Sequence, residues 1–243
     1  NQKPDGYKLL VALTSMLVIP EAEKVAGKQP SYEVNQFIPI AKVSADPVVL
    51  LVKADSPWKT MEDFVKDAKN RPGILSYSSS GLFGAIHVPM EMAAQASGIK
   101  LIHVPYQSGG QSMAALLGGQ VDVTIQAPGV ANPHIKSGKI RALATFGNAR
   151  TKVLSEIPTL KELGYDVEFY IWASLFTQKG TPQDVVTKLR TIVRQAIDEP
   201  VFVNAMNNMA APIFYQDSPE LQTSIENERK HFTNVVKRIG KID

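Results

Sequence analysis

ILSYSSSGLFGAIHVPMEMAAQASGIKLIHVPYQSGGQSMAALLGGQVDVTIQ, residues 74–126, is the stretch on which the fold turns. Ile74 to Tyr77 opens a strand after the Pro72-Gly73 stop, and Ser78-Ser79-Ser80-Gly81-Leu82-Phe83-Gly84 is a small-residue loop leading into a helix around Ile86 to Ala96. The pattern then repeats: Leu101 to Pro105 is a strand, Ser108-Gly109-Gly110 a loop, Gln111 to Leu117 a helix, and Val121 to Gln126 the next strand. Strand, loop and helix in alternation predict an α/β sheet with parallel strands and helices on its faces. Each loop ends a strand and begins a helix. Unpaired N–H groups and the helix dipole at such a point favour a carboxylate or phosphate, and glycine lets a ligand approach the backbone. Two such loops at the carboxyl ends of neighbouring parallel strands face one crevice, where open α/β sheets bind ligands. The competing reading of either loop alone is an ordinary strand–helix turn.

Upstream, a Pro4-Asp5-Gly6 turn precedes Tyr7 to Leu13, which reads as a buried strand; Phe37 to Val43 and Val48 to Val52 are two more, separated by Asp46-Pro47. Thr60 caps a helix with Asp63 three residues on, and Phe64, Val65 and Ala68 supply its apolar face. Downstream, Ile140 to Phe146 is a strand, Pro158 to Gly164 a short helix closed by glycine, and Tyr170 to Thr177 an apolar strand. Pro182 to Ile197 is a long amphipathic helix, and Pro200 to Met209 and Ser218 to Ile239 are two further helices. There is no repeat of fixed period and no low-complexity tract.

At 243 residues the chain has room for one or two domains. A hydrophobic share of 44% and a charged share of 20% fit a globular protein and argue against disorder. The net charge of +3, from 26 basic and 23 acidic side chains, is too small and too scattered for a nucleic-acid binder. No cysteine is present, which excludes disulfides, thiolate metal sites and cysteine nucleophiles. The longest apolar run, Val48 to Val52, is far short of a membrane span. Asn1 to Gly6 reads as a turn-like opening and not as a signal peptide.

Enzyme motifs mostly fail. Ser56-Pro57-Trp58-Lys59 has the S-x-x-K spacing, but no S-D-N or K-T-G follows it, and the triple serine lacks the flanking glycines of a nucleophile elbow. There is no Walker sequence, and Gly81-x-x-Gly84 is not a dinucleotide fingerprint. His87 and Glu91 share a helix face at a spacing that suits a metal, but no third ligand accompanies them, so a hydrogen-bonded histidine is the better reading. His103 reads as a satisfied core histidine. Asp122, just inside a strand, either points into the crevice or bonds the preceding turn. Trp172 either walls a ligand or fills a core, with the core as the default.

Seven blocks in order resemble the solute receptors of tripartite tricarboxylate transporters, the Bug or TctC-like family. They are PDGYKLL (4–10), FIPIAKV (37–43), VVLLVKADSPWKTMEDFVKDAK (48–69), YSSSGLFGAIHVPMEM (77–92), VPYQSGGQSMAALLGGQVDV (104–123), HIKSGKIRALATFGNAR (134–150) and EIPTLKELGYDVEFYIWASLFTQKGTP (156–182). The resemblance implies a type II periplasmic-binding-protein-like fold with two α/β lobes joined by crossing strands. Lobe 1 is then 1–53 with 169–243, and lobe 2 is 54–168. It implies no catalysis, no cofactor and no metal. The partners implied are a small mono- or dicarboxylate and a membrane permease, with no nucleic acid and no membrane span of the chain's own. The implied location is the periplasm, and the implied mechanism is a hinge that closes on the ligand.

Carried onto this chain, the implied ligand-binding residues are Ser78, Ser79, Ser80, Gly81 and Gly84 in one loop, Ser108, Gly109 and Gly110 in the next, and Asp122 beside them. Trp172 is a candidate wall. Where many relatives read closer to G-S-x-G-x-G-S, this chain has Ser78, Phe83 and Gly84, so Phe83 is expected to narrow the pocket or line it with an aromatic ring. Relatives also carry a leader, a strand and a Gly-rich loop ahead of P-D-G-Y. Relative to that pattern the first strand–helix unit of lobe 1 is missing here, and an exposed sheet edge is expected in its place. Two rival readings stand beside the receptor: the effector-binding module of a transcriptional regulator, for which a helix-turn-helix would be needed, and a serine hydrolase.

Overall fold

The computed structural model describes residues 3–209 and 211–240. The chain divides into two compact units, Asn1–Asp46 with Ile171–Asp243 and Pro47–Tyr170. In order, the first unit contributes β1 (Leu10–Leu13), α1 (Ser15–Val25) and β2 (Phe37–Pro47). The second contributes β3 (Val49–Lys53), α2 (Met61–Asn70), β4 (Ser76–Ser79), α3 (His87–Ser97), β5 (Ile102–Pro105), α4 (Gly109–Leu117), β6 (Val123–Gln126), α5 (Pro128–Lys136) and β7 (Ile140–Thr145). The chain returns through β8 (Tyr170–Gln178) and ends with α6 (Gln183–Ala196), α7 (Pro200–Asn208), β9 (Ile213–Asp217) and α8 (Ser218–Ile239).

In the second unit the sheet order is β5-β4-β6-β3-β7. Strands β5, β4 and β6 run parallel, as the alternating pattern predicts, whereas β3 is antiparallel to both β6 and β7. The sheet is therefore mixed. β3 lies between two neighbours with Val49, Leu50, Leu51 and Val52 fully buried, which explains its unbroken apolar run. This pairing also moves the expected lobe boundary, because residues 48–53 belong with the second unit's sheet and the chain divides at 46/47 and 170/171. The core packs Val49 and Leu51 against Met113, Leu116, Ala131 and Ile140.

Local signals set the helix ends. The Thr60 hydroxyl accepts from Asp63 N at 3.1 Å while Asp63 Oδ2 accepts from Thr60 N at 3.0 Å, a reciprocal cap that starts α2 where the sequence predicts. The expected short helix at 158–164 does not form. Its backbone is tied to β7 instead, with Thr145 N donating to Pro158 O at 2.9 Å and Leu160 N to Thr145 O at 2.9 Å. A segment held this way leaves too few residues for a helical run. Helices α1 and α5 carry no reading in the sequence because Pro20 and Pro133 lie inside them and count as breakers.

In the first unit the sheet order is β1-β8-β2-β9, with β1 antiparallel to β8 and β9 antiparallel to β2. Val186 and Val193 of α6, with Ile197 just beyond it, pack on Ile40, Ala41 and Val43 of β2, and α8 packs against α1. The expected buried strand at 7–13 is shorter and more open. It starts at Leu10, lies at the sheet's edge, and leaves Val11 64% and Leu13 47% exposed. The preceding turn is present among the described residues: Tyr7 N donates to Asp5 Oδ1 at 3.1 Å around Gly6 at φ +81°, while residues 1 and 2 lie outside them.

Candidate functional site

The three parallel strands of the second unit end side by side, so the loops that follow them share one rim of the sheet. Tyr106 N donates to Ser79 O at 2.9 Å, joining the end of β5 to the end of β4. A Cβ built on Gly81 would stand 3.9 Å from Tyr106 O, and one on Gly109 would stand 3.3 Å from Gln126 Oε1 and 3.4 Å from the Ile86 side chain. Gln126, the last residue of β6, donates to Gly109 O at 2.9 Å. The two serine- and glycine-bearing loops are thus neighbours. Ser80, Gly81 and Gly84 are half-buried, and Ser108 and Gly110 are exposed.

The loops differ in what they have left to offer. In the first, Gly81 N donates to Ser79 Oγ, Phe83 N to His87 Nδ1, Gly84 N to Gly81 O, and His87 N and Val88 N both to Gly84 O. Most of its amides are spent on its own fold, with Gly81 at φ +113° and Phe83 at φ +57° making the turns. The second loop is simpler. Ser108 Oγ accepts from Gln111 N at 3.2 Å, capping α4, and Gln111 Oε1 accepts from Gln107 N at 3.0 Å. Gly109 and Gly110, the first two residues of α4, have no preceding helical turn to bond their amides, and neither carries a side chain to cover them. The glycine-led start of α4 is the better anion-facing feature of the two.

Several of the residues expected at a ligand are occupied by the protein itself. The Ser78 hydroxyl is fully buried, 2.8 Å from Ser112 Oγ, which lies 2.8 Å from Thr124 Oγ1; this hydroxyl cluster bolts β4, α4 and β6 together. Asp122 bonds neither the crevice nor its preceding turn: its Oδ2 accepts from Ser76 N at 2.7 Å and from Ser76 Oγ at 3.0 Å, at the start of β4. Trp172 lies in the first unit, 1% exposed, and its Nε1 donates to Glu228 at 2.7 Å, so its indole fills a core. Phe83 stands edge-on to His87 at 5.6 Å between ring centres. Gln126 was passed over because a glutamine at a strand end gives no signal until the fold puts it beside Gly109.

His87 and His103 were read singly, and they form a stack. Their rings lie 4.2 Å apart, and Tyr77 stacks on His103 at 4.8 Å. Tyr77 also bonds Glu91, so the candidate metal pair is dissolved; among the described residues no cluster of three or more His, Cys, Asp or Glu could hold a metal. Ser79 Oγ sits 2.6 Å from His103 Nε2, the spacing of a nucleophile and its base. Ser79 is nevertheless fully buried, and its other bonds go to Gly81, so a substrate carbonyl has no path to the hydroxyl.

Burial, then the neighbouring His103, pushes His87 down to about 3, and burial lowers His103. Burial also raises Glu91, against the opposing bond from Tyr77. The unfolded chain therefore binds protons at His87 where the folded one does not, and stability rises with pH. This contribution is fully present above about 6.5, the unfolded value, and is lost as pH falls toward the folded one. At pH 5 about 2 kcal/mol is gone from His87 alone. The raised carboxyls of Glu91 and of Asp46, which burial pushes up to about 6, act in the opposite direction, so the test is a difference: between pH 7 and pH 5 the urea midpoint of the wild type is expected to fall relative to that of His87→Gln.

The family described as the tripartite tricarboxylate transporter family receptor (TctC) matches residues 1–241. The "UPF0065 protein in gbd 5′ region" of Cupriavidus necator is 32% identical over 237 residues, covering 98% of this chain and 71% of that protein. The structure of the periplasmic binding protein BugD superposes with a TM-score of 0.85 at 27% identity, covering 99% of this chain and 80% of that one. MatC of Rhodopseudomonas palustris, solved with bound malate, shares the fold at a TM-score of 0.82 and 24% identity, over 97% of this chain and 81% of its own. With a whole-chain family match, the type II two-lobed binding-protein fold and ordered sequence blocks in agreement, this chain belongs to the tripartite tricarboxylate transporter receptor family.

Proposed function

We propose that this chain is an extracytoplasmic receptor that captures a small mono- or dicarboxylate and presents it to a membrane permease of the tripartite tricarboxylate type. The observation that carries the proposal is the glycine-led start of α4, with the Gly109 and Gly110 amides at its tip, set against the Ser80–Gly84 loop on one rim of the sheet. A carboxylate there is met by backbone dipoles and by the half-buried Ser80 hydroxyl, which suits an anion that must later be released. Ser80, Gly81, Gly84, Ser108, Gly109 and Gly110, all of the second unit, form the proposed contact set. Among the described residues no helix is long and apolar enough to cross a membrane.

The test is a thermal-shift panel of malate, succinate, adipate and benzoate, followed by calorimetry on any acid that shifts the transition. A ligand at a hundredfold its Kd adds about 2.7 kcal/mol, which raises the melting temperature by roughly 5 °C or more. At least one acid is expected to do so. A flat panel across all four, at millimolar concentration, would remove the basis for the receptor assignment.

A further inference from the structure

The histidine pair is tied to the proposed anion site through Ser79, whose hydroxyl reaches both His103 Nε2 and the backbone of Gly81, and the hydrogen bonds let one ring take a proton where the other does not. His87 Nδ1 accepts from Phe83 N at 3.0 Å. A proton on that nitrogen would set two donors against each other and break the bond that holds Phe83 in its left-handed turn, so His87 stays neutral while the loop keeps its shape. His103 is placed differently. Its Nε2 meets a hydroxyl, Ser79 Oγ, which has both Gly81 N and Gly81 O within reach at 3.2 Å and 3.1 Å.

A hydroxyl rotates to suit its neighbours. With His103 neutral at Nε2, Ser79 donates to the ring and accepts from Gly81 N. With a hydrogen on Nε2, as in the imidazolium and equally in the neutral Nε2–H tautomer, the ring donates to Ser79, and the hydroxyl hydrogen swings to Gly81 O. Ser79 keeps a donor and an acceptor partner in either state, since Gly81 O still accepts from Gly84 N when the hydroxyl hydrogen is turned to the ring, and no backbone atom has to move.

His103 also belongs to the second loop. It stands on β5 three residues before Tyr106, whose N–H is bonded to Ser79 O, and α4 begins three residues further on at Gly109. The groups facing the two rings are Tyr77 and Ser79 from β4 and Glu91 from α3, with Glu91 bonded to Tyr77. Asp122, the nearby carboxylate of β6, is turned to Ser76. With the rings only 4.2 Å apart, the stack accepts one positive charge and not two. An anion held at the Ser80–Gly84 loop, which the Ser79 relay joins to His103, favours that charge.

We infer that His103 is a positioning residue through which capture of a carboxylate by these loops is coupled to uptake of a proton. The inference rests on the receptor reading proposed above. It gives the site a preference for mildly acidic surroundings, with tighter capture there and looser capture as pH rises.

The experiment is calorimetric titration of the full chain with malate at pH 6.5 in two buffers of different ionisation enthalpy, with wild type and His103→Gln side by side. Malate's two carboxyls are largely ionised at that pH, and the variant carries the same ligand term. Glutamine still accepts from Ser79 but holds no proton. Wild type is expected to show buffer-dependent heats equal to a fraction of a proton taken up per malate, with affinity rising about three- to tenfold from pH 7.5 to pH 6.0. His103→Gln is expected to bind within about threefold of wild type at pH 7.5 and to lose the buffer dependence. Heats that do not depend on buffer in the wild type, or a dependence that survives in His103→Gln, overturn the proton coupling and leave the receptor reading intact. Absence of any malate heat in either protein overturns the coupling as stated for malate, and the four-acid panel alone then decides the receptor reading. Should His103→Gln fail to fold, the ring-proton NMR titration of the wild type decides instead. Saturating malate must move the His103 midpoint upward, and an unmoved midpoint overturns the inference.

Discussion

Gly110→Asp is expected to abolish carboxylate capture while leaving the protein as stable as before, or slightly more so. Gly110 is the second residue of α4 and is exposed, and a Cβ there would meet only Ser108 Oγ at 3.9 Å, so the substitution has room. An acidic side chain in the first turn of a helix is favourable by roughly 0.3–1 kcal/mol. The same charge stands where the ligand's carboxylate is proposed to bind. Two unit charges about 5 Å apart at an effective dielectric constant near 20 repel by roughly 3 kcal/mol, a loss of about a hundredfold in affinity. Melting temperature and malate affinity, measured together, should move independently. Unchanged affinity would place the anion elsewhere, and a collapse of the melting temperature would mean the helix start is packed and not open.

Trp172→Ala is expected to carry the largest stability loss of any single truncation in the first unit. The indole is 1% exposed, donates from Nε1 to Glu228 at 2.7 Å, and lies under Lys42 Nζ at 5.2 Å from the ring centre. Lys42 and Glu228 also pair at 3.2 Å, with the Lys42 side chain only 6% exposed. Removing the ring leaves a cavity and strips one partner from a half-buried carboxylate, for a cost of about 3–5 kcal/mol. That corresponds to a fall of roughly 10 °C or more in the unit's transition. Trp172→Phe keeps most of the volume and loses the hydrogen bond, so it should fall between the two. If Trp172→Ala instead melts like the wild type and loses malate, the indole is a ligand wall and the core assignment is wrong.

These two residues show where reading by sequence succeeds and where it stops. The loops at 78–84 and 108–110 were legible because serine and glycine clusters between a strand and a helix have few other uses. Glycine at Gly81, with φ +113°, and serine capping at Ser108 are local chemistry. The strands β4, β5 and β6 and the helices between them were legible for the same reason, since periodicity and caps act over a few residues. Ser78 and Asp122 were not, and of Trp172 only the default core reading was. Each has the side chain of a ligand contact and is consumed by a partner far along the chain: Ser112, Ser76 and Glu228 respectively.

The sequence by itself determined that this is an α/β chain of the receptor family, and that strand–helix turns of small residues carry its polar chemistry. Tertiary structure alone decided that β3 runs against its neighbours, that the turn at Gly109 and not the triple serine keeps amides to spare, and that His87 and His103 come together behind Ser79. The physical reason is range. Capping, turn geometry and hydrophobic period are set by neighbours along the chain. Strand direction, the partner of a buried hydroxyl and the proton state of a ring are set by whatever folding brings alongside, here Ser79 against His103 from 24 residues away.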